Sequence, residues 1–194
     1  MEPIRSLLFV PGNRTDMLQK ARNLDADALV PDLEDSVPPA EKARAREVVA
    51  QALPTLAARG QKLVPRVNAL DTGLAYDDLR AVVGPHVWGV TVGKVRSPED
   101  IRQYDRLLAV LEQERGLPVG SVRLVPWLET ARAILRAPDI LAASPRVAAC
   151  AFGAEDFTVD MGIQRTDEGG ELAVPRALVA MAATAAGVWP LDTP

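Results

Sequence analysis

Short apolar runs of strand length alternate with longer helical stretches along nearly all of this 194-residue chain, and few folds accommodate that alternation. The runs are Arg5–Pro11, Ala28–Glu34, Lys62–Val67, Gly89–Val95, Val122–Glu129, Ala148–Asp156 and Val188–Leu191. Strands regularly separated by helices indicate parallel βα units. Seven of them predict an α/β fold, a TIM-type (β/α)8 barrel cut short after its seventh strand, as a single domain over residues 1–194. A doubly wound open sheet is the alternative. It usually carries a glycine-rich phosphate turn after its first strand, whereas the turn here, Pro11-Gly12-Asn13-Arg14, has one glycine.

Local signals set the expected boundaries. Thr15 can cap a helix running to about Leu24. Pro38 and Pro39 open a long helix that Gly60 ends, with Val48, Val49, Ala52, Leu53 and Leu56 on one face. Pro54 should kink or interrupt it. A further helix is expected over Leu74–Val83. Ser97-Pro98-Glu99-Asp100 reads as a capping box opening a helix to about Arg115. A helix following Glu129 should break near Pro138, Thr158–Leu172 reads as an irregular excursion, and Pro175–Ala186 is helical. Pro31, Pro65 and Pro126 fall inside expected strands, in their C-terminal halves, where pairing can fray or bulge.

Composition narrows the chemistry. A net charge of −4 gives no electrostatic reason to expect nucleic acid or an anionic membrane as partner. No apolar run reaches membrane-spanning length, and the start of the chain lacks the basic-then-apolar layout of a secretory signal, so a cytoplasmic protein is expected. The single cysteine, Cys150, lies in an apolar run and reads as a buried small hydrophobe. With one histidine, His86, neither a Ser-His-Asp triad nor a histidine-rich zinc site has support. Carboxylates, arginines and a metal remain.

Two runs end on carboxylates, Glu129 and Asp156. The C-terminal ends of parallel strands are where α/β enzymes place their chemistry. Side by side at one mouth, these two would make a Mg²⁺ site with positions open to water and an oxygen-rich substrate. Equally, each could stabilise a helix N-terminus, where negative charge is favoured. In Asp32-Leu33-Glu34-Asp35, strand alternation sends Asp32 and Glu34 to one face and Leu33 to the other.

Five motifs in order resemble the citrate lyase β-subunit-like family, within the HpcH/HpaI aldolase group that includes malyl-CoA and citramalyl-CoA lyases. They are Arg5-Ser6-Leu7-Leu8-Phe9-Val10-Pro11-Gly12-Asn13-Arg14, Asp32-Leu33-Glu34-Asp35-Ser36-Val37, Arg66-Val67-Asn68, Leu128-Glu129-Thr130-Ala131 and Phe152-Gly153-Ala154-Glu155-Asp156. Weaker similarity continues through Arg176 to Asp192. The resemblance implies a Mg²⁺-dependent TIM barrel that makes or breaks a C–C bond beside a CoA thioester, yielding acetyl-CoA and a 2-oxo acid such as oxaloacetate. By motif, Glu129 and Asp156 correspond to metal ligands and Arg66 to the residue gripping the oxo-acid carboxylate. Arg14 is a candidate for the CoA phosphates, or an exposed arginine near a helix start. Asp35 belongs at the mouth, behind Arg66, near the reacting carbon or in an ion pair with an arginine. Lys94 matches a family Pro-Lys-Val segment with Gly93 replacing the proline, and an ion pair inside the barrel is its expected role.

Family members usually continue through a seventh helix, an eighth strand and a C-terminal segment with an acidic residue that completes a neighbour's site. Two rival functions therefore stand beside the CoA-thioester lyase. One is a CoA-independent aldolase or hydrolase on a small oxo acid, and the other a non-catalytic subunit that binds Mg²⁺ and a dicarboxylate. Open edges on the first and seventh strands recruit other chains, so a homo-oligomer, or a longer polypeptide, is expected.

Overall fold

The computed structural model describes residues 4–193. In chain order the elements are β1 (Leu7–Pro11), α1 (Thr15–Ala21), β2 (Ala28–Asp32), α2 (Lys42–Leu56), β3 (Lys62–Leu63), β4 (Arg66–Val67), α3 (Ala75–Val82) and β5 (Gly89–Val92). Then follow α4 (Pro98–Glu114), β6 (Arg123–Leu128), α5 (Ala131–Leu135), α6 (Ala137–Leu141), β7 (Ala149–Phe152), α7 (Ala154–Met161), α8 (Ala173–Ala186) and β8 (Trp189–Leu191). This is the α/β succession of a TIM-type barrel through seven strand positions, β3 and β4 being two halves of the third. The split falls at Val64-Pro65, so the proline that cannot donate sits between the halves. Pro31 and Pro126 stay within β2 and β6.

The chain divides into two compact units, the first running to Thr91 and taking in Arg106–Arg123, the second comprising Val92–Asp105 and the residues from Leu124 on. In the first, β1 pairs in parallel with β2 over Leu7–Pro11 and Ala28–Asp32, and β2 pairs in parallel with β3 and β4. In the second, β6 pairs in parallel with β7, and β7 with β8. Within each unit the paired strands are neighbours in sequence, without the reversal of order that a doubly wound sheet requires. No helix among the described residues is long and apolar enough to cross a membrane.

Both faces of β2, β5, β6 and β7 are buried. Ala28, Leu29, Val30, Leu63 and Val64 are inaccessible in the first unit, as are Leu124, Val125, Cys150 and Phe152 in the second. Strands covered on both faces read as continuous apolar runs, which is how these read in the sequence. Gly12 lets β1 turn tightly: its N–H donates to the Asp32 carbonyl at 2.8 Å, and a Cβ there would lie 2.5 Å from that oxygen.

Several expected boundaries moved. Thr15 is the first residue of α1 and not its cap; Arg14 holds the cap position without a side-chain bond. Pro54 does not interrupt α2, which continues to Leu56 before a 3-10 turn ends at Gly60 in the left-handed conformation, φ 79°. An interior proline costs about 3 kcal/mol. Leu53 and Leu56, buried on either side of it, each contribute about 1.5–3 kcal/mol through burial, so packing wins. The sixth run ends at Phe152, and Thr158 falls inside α7, so the irregular stretch starts at Gly162.

Candidate functional site

The candidate residues form two groups, one in each unit. In the first unit, β2 delivers Asp32 and the loop behind it Glu34 and Asp35, while β4 delivers Arg66 from the facing register position. Arg66 forks onto Asp32, with Nε 2.7 Å from Oδ1 and Nη2 2.6 Å from Oδ2. Its Nη1 lies 3.4 Å from both Glu34 Oε2 and Asp35 Oδ2, and its guanidinium lies over the Phe9 ring, 5.1 Å from the centroid. Such two-point pairing is the strong, orienting kind.

Electrostatics follow from this packing. Burial opposes the charge on Arg66, but the hydrogen bonds and charge of Asp32, with Glu34 and Asp35 behind, hold its pKa above the ordinary value. Burial likewise opposes the Asp32 carboxylate; Arg66, the Ser36 bond and the Glu34 N–H outweigh it and keep the pKa low. Lys42 braces the loop by donating from Nζ to the Leu33 carbonyl at 2.8 Å and to that of Glu34 at 2.6 Å. Behind β4, Asn68 donates to the Leu33 carbonyl and to Asp78, which also pairs with Arg46 at 3.0 Å. Arg14 stands apart from this cluster, exposed and paired with Asp16 at 3.0 Å.

In the second unit, Glu129 follows β6 and is buried, with 3% exposure. Its Oε2 accepts a hydrogen bond from the backbone N–H of Lys94 at 2.8 Å. Lys94 adopts φ 55°, the one left-handed residue other than glycine among those described. Glu129 does not cap the next helix. Thr130 does, its hydroxyl accepting from the Ala133 N–H at 3.1 Å, while Asp160 accepts from the Ala131 N–H. Asp156, expected at a strand end, lies instead in the first turn of α7, after Gly153 at the cap position. It is half-buried, and its side chain makes no hydrogen bond or ion pair to another described residue.

The donor set fits a hard divalent cation. Glu129 and Asp156 in the second unit supply carboxylate oxygens, and two carboxylates leave positions for water or substrate, as Mg²⁺ prefers. Among the described residues, no group of three or more His, Cys, Asp or Glu side chains could hold a metal ion, so a closed all-protein cage is absent there.

The sequence reading missed Asp32 as the principal partner of Arg66, Lys42 as the brace, and the Lys94 backbone as the donor to Glu129. Three acids in four residues beside one later arginine was the available signal for Asp32. Nothing local announces the other two. A groove of about 510 Å³ lined by Leu18, Val48, Leu56 and neighbours contains none of these residues.

A family model described as HpcH/HpaI aldolase/citrate lyase matches residues 5–193. The chain is 42% identical over 193 residues to a citrate lyase subunit beta-like protein of Deinococcus radiodurans, covering 97% of this chain and 65% of that one. It is 36% identical over 171 residues to the L-malyl-CoA/beta-methylmalyl-CoA lyase of Cereibacter sphaeroides, covering 87% and 54% respectively. The citrate lyase beta subunit of M. tuberculosis, solved with oxaloacetate and magnesium, superposes with TM-score 0.74 at 28% identity, over 96% of this chain and 76% of that one. The chain thus spans less than two thirds of the length of these two curated relatives.

Proposed function

The chain belongs to the HpcH/HpaI aldolase/citrate lyase family, and on that premise we propose a Mg²⁺-dependent carbon–carbon lyase acting on a CoA thioester of the citryl-CoA or malyl-CoA type. Its products would be acetyl-CoA and a 2-oxo acid such as oxaloacetate. The observation that carries the reading is the state of Glu129: a buried carboxylate, aimed by a backbone N–H, whose helix-capping duty Thr130 performs. Helix capping therefore does not account for an acid at that position. The magnesium and oxaloacetate in the solved relative supply the ligand class, and the malyl-CoA lyase supplies the thioester.

Glu129 and Asp156 would hold the cation, which supplies Lewis-acid polarisation of the oxo-acid oxygen when bound. Arg66 takes the oxo-acid carboxylate. Asp32 occupies its Nε–Nη2 edge, so the Nη1 end is the part that turns to substrate, already oriented before binding. A donor held in place stabilises developing charge without reorganising. Asp35, within 3.4 Å of Nη1, tunes that end of the guanidinium. Arg14 is assigned to the CoA phosphates, for which it would have to leave Asp16. That pairing favours the CoA-free aldolase as the second reading. We place the protein in the cytoplasm as a homo-oligomer, a reducing setting that suits its buried free thiol.

A coupled assay for released oxo acid, run on citryl-CoA and malyl-CoA with and without Mg²⁺, tests the proposal. Metal-dependent release of acetyl-CoA supports it. Cleavage of the free acids alone would transfer the assignment to the CoA-free aldolase, and binding without turnover to a non-catalytic subunit.

A further inference from the structure

We propose that Lys94 positions Glu129 for metal binding through its backbone, and that its left-handed conformation, rather than its ammonium group, is what the site requires. The inference rests on the assignment of Glu129 as a metal ligand.

Glycine precedes Lys94, at Gly93, yet the left-handed conformation falls on the lysine, where an L side chain is disfavoured. Such strain persists where surrounding structure requires it, and it clusters at functional sites. At Lys94 it accompanies a contact: as β5 ends at Val92, the chain turns and the Lys94 N–H points at Glu129 Oε2, 2.8 Å away. The left-handed φ sets how the chain leaves the peptide plane that carries this N–H, so an extended φ at Lys94 would require either that plane or the chain into Val95 to turn. Gly153 limits the carboxylate from the other side, since a Cβ there would lie 2.8 Å from Oε1. One oxygen of Glu129 thus accepts from a backbone donor, and the side chain packs against Gly153, where a Cβ has no room. Outer contacts of this kind orient metal ligands and typically change affinity 10- to 100-fold when removed.

The test separates backbone from side chain with four variants. Lys94→Gly and Lys94→Asn tolerate the left-handed region but lack the amine. Lys94→Val and Lys94→Ile also lack the amine and disfavour that conformation strongly. Mg²⁺ affinity of each purified protein is read by titration calorimetry, with Mn²⁺ binding by electron paramagnetic resonance as a second readout and metal-free melting as a check on the fold. The expected result is near-native affinity for glycine and asparagine and a loss of about 10- to 100-fold for valine and isoleucine, at similar metal-free melting temperatures. Equal losses in all four would assign the role to the amine and overturn the proposal, as would native affinity in all four. If valine and isoleucine prevent folding, Lys94→Ala replaces them, since its Cβ still disfavours the left-handed region: weaker binding than in the glycine variant supports the proposal, and equal affinity in the two overturns it. Glu129→Gln serves as the control: unaltered Mg²⁺ binding in it would remove the metal-ligand reading itself, whichever way the Lys94 variants behave.

Discussion

Gly153 and Glu129 share space that only a missing side chain makes available: a Cβ on Gly153 would lie 2.5 Å from Glu129 Cγ and 2.8 Å from Oε1. Gly153 has φ −100°, which any residue adopts, so the restriction is steric and not conformational. Gly153→Ala should therefore displace the Glu129 carboxylate. Overpacking of this kind costs about 1–3 kcal/mol, read as a lower melting temperature, and Mg²⁺ affinity should fall at least about tenfold. Native Mg²⁺ affinity in this variant would mean that the carboxylate works from another position.

Glu129→Gln keeps the shape and the acceptor for the Lys94 N–H but removes the charge. It should abolish Mg²⁺-dependent oxaloacetate binding while melting close to the native protein. Calorimetry showing unchanged oxaloacetate affinity in the presence of Mg²⁺ would take Glu129 out of the site.

Arg66→Lys is not a conservative change, because lysine lacks the planar fork. Oxo-acid affinity should fall by about 1–3 kcal/mol, the range for a hydrogen bond to a charged group. Arg66→Met goes further by leaving Asp32, 1% exposed, as a buried charge without its main partner. Breaking a buried pair this way costs about 3–5 kcal/mol, so the methionine variant should show the larger loss in urea denaturation. If the two variants unfold at the same urea concentration, the Arg66–Asp32 pair matters little to the fold.

Acid should expose the same pair. Asp32 keeps a lowered pKa in the folded protein, with burial opposing and Arg66 outweighing it. Its pairing therefore stabilises the protein fully above the unfolded carboxylate value of about 3.9 and loses that contribution as pH falls through the lower folded value. Asp32→Asn should be less stable than the native protein at pH 7, by about 1–3 kcal/mol. The gap should shrink below about pH 4. Urea midpoints measured from pH 7 down to pH 2 check this, and a constant gap would contradict it.

Cys150 is buried, and burial alone pushes its thiol up to about 12. Since the thiolate is the reactive form, a thiol-specific reagent at pH 8 should leave the native protein unmodified and label it stoichiometrically in denaturant. Fast labelling of the native protein would show that β7 opens readily.

The sequence by itself determined the elements, because their causes are local. Apolar runs, the Ser97 capping box, whose hydroxyl and Asp100 bond reciprocally, and the Gly60 stop all act within a few residues. So did the family, since its motifs survive as short words. Where two local signals conflicted, only packing chose. Pro54 argued for a break and lost to the burial of Leu53 and Leu56, while Thr130, and not Glu129, took the helix cap. The site contacts were beyond any local pattern. Arg66 meets Asp32 because parallel register sets those two Cα positions opposite each other, and the Lys94 N–H meets Glu129 across a turn in which Lys94 is left-handed. Strand register and peptide orientation are properties of the folded chain, because partners distant in sequence become neighbours only once the strands have paired.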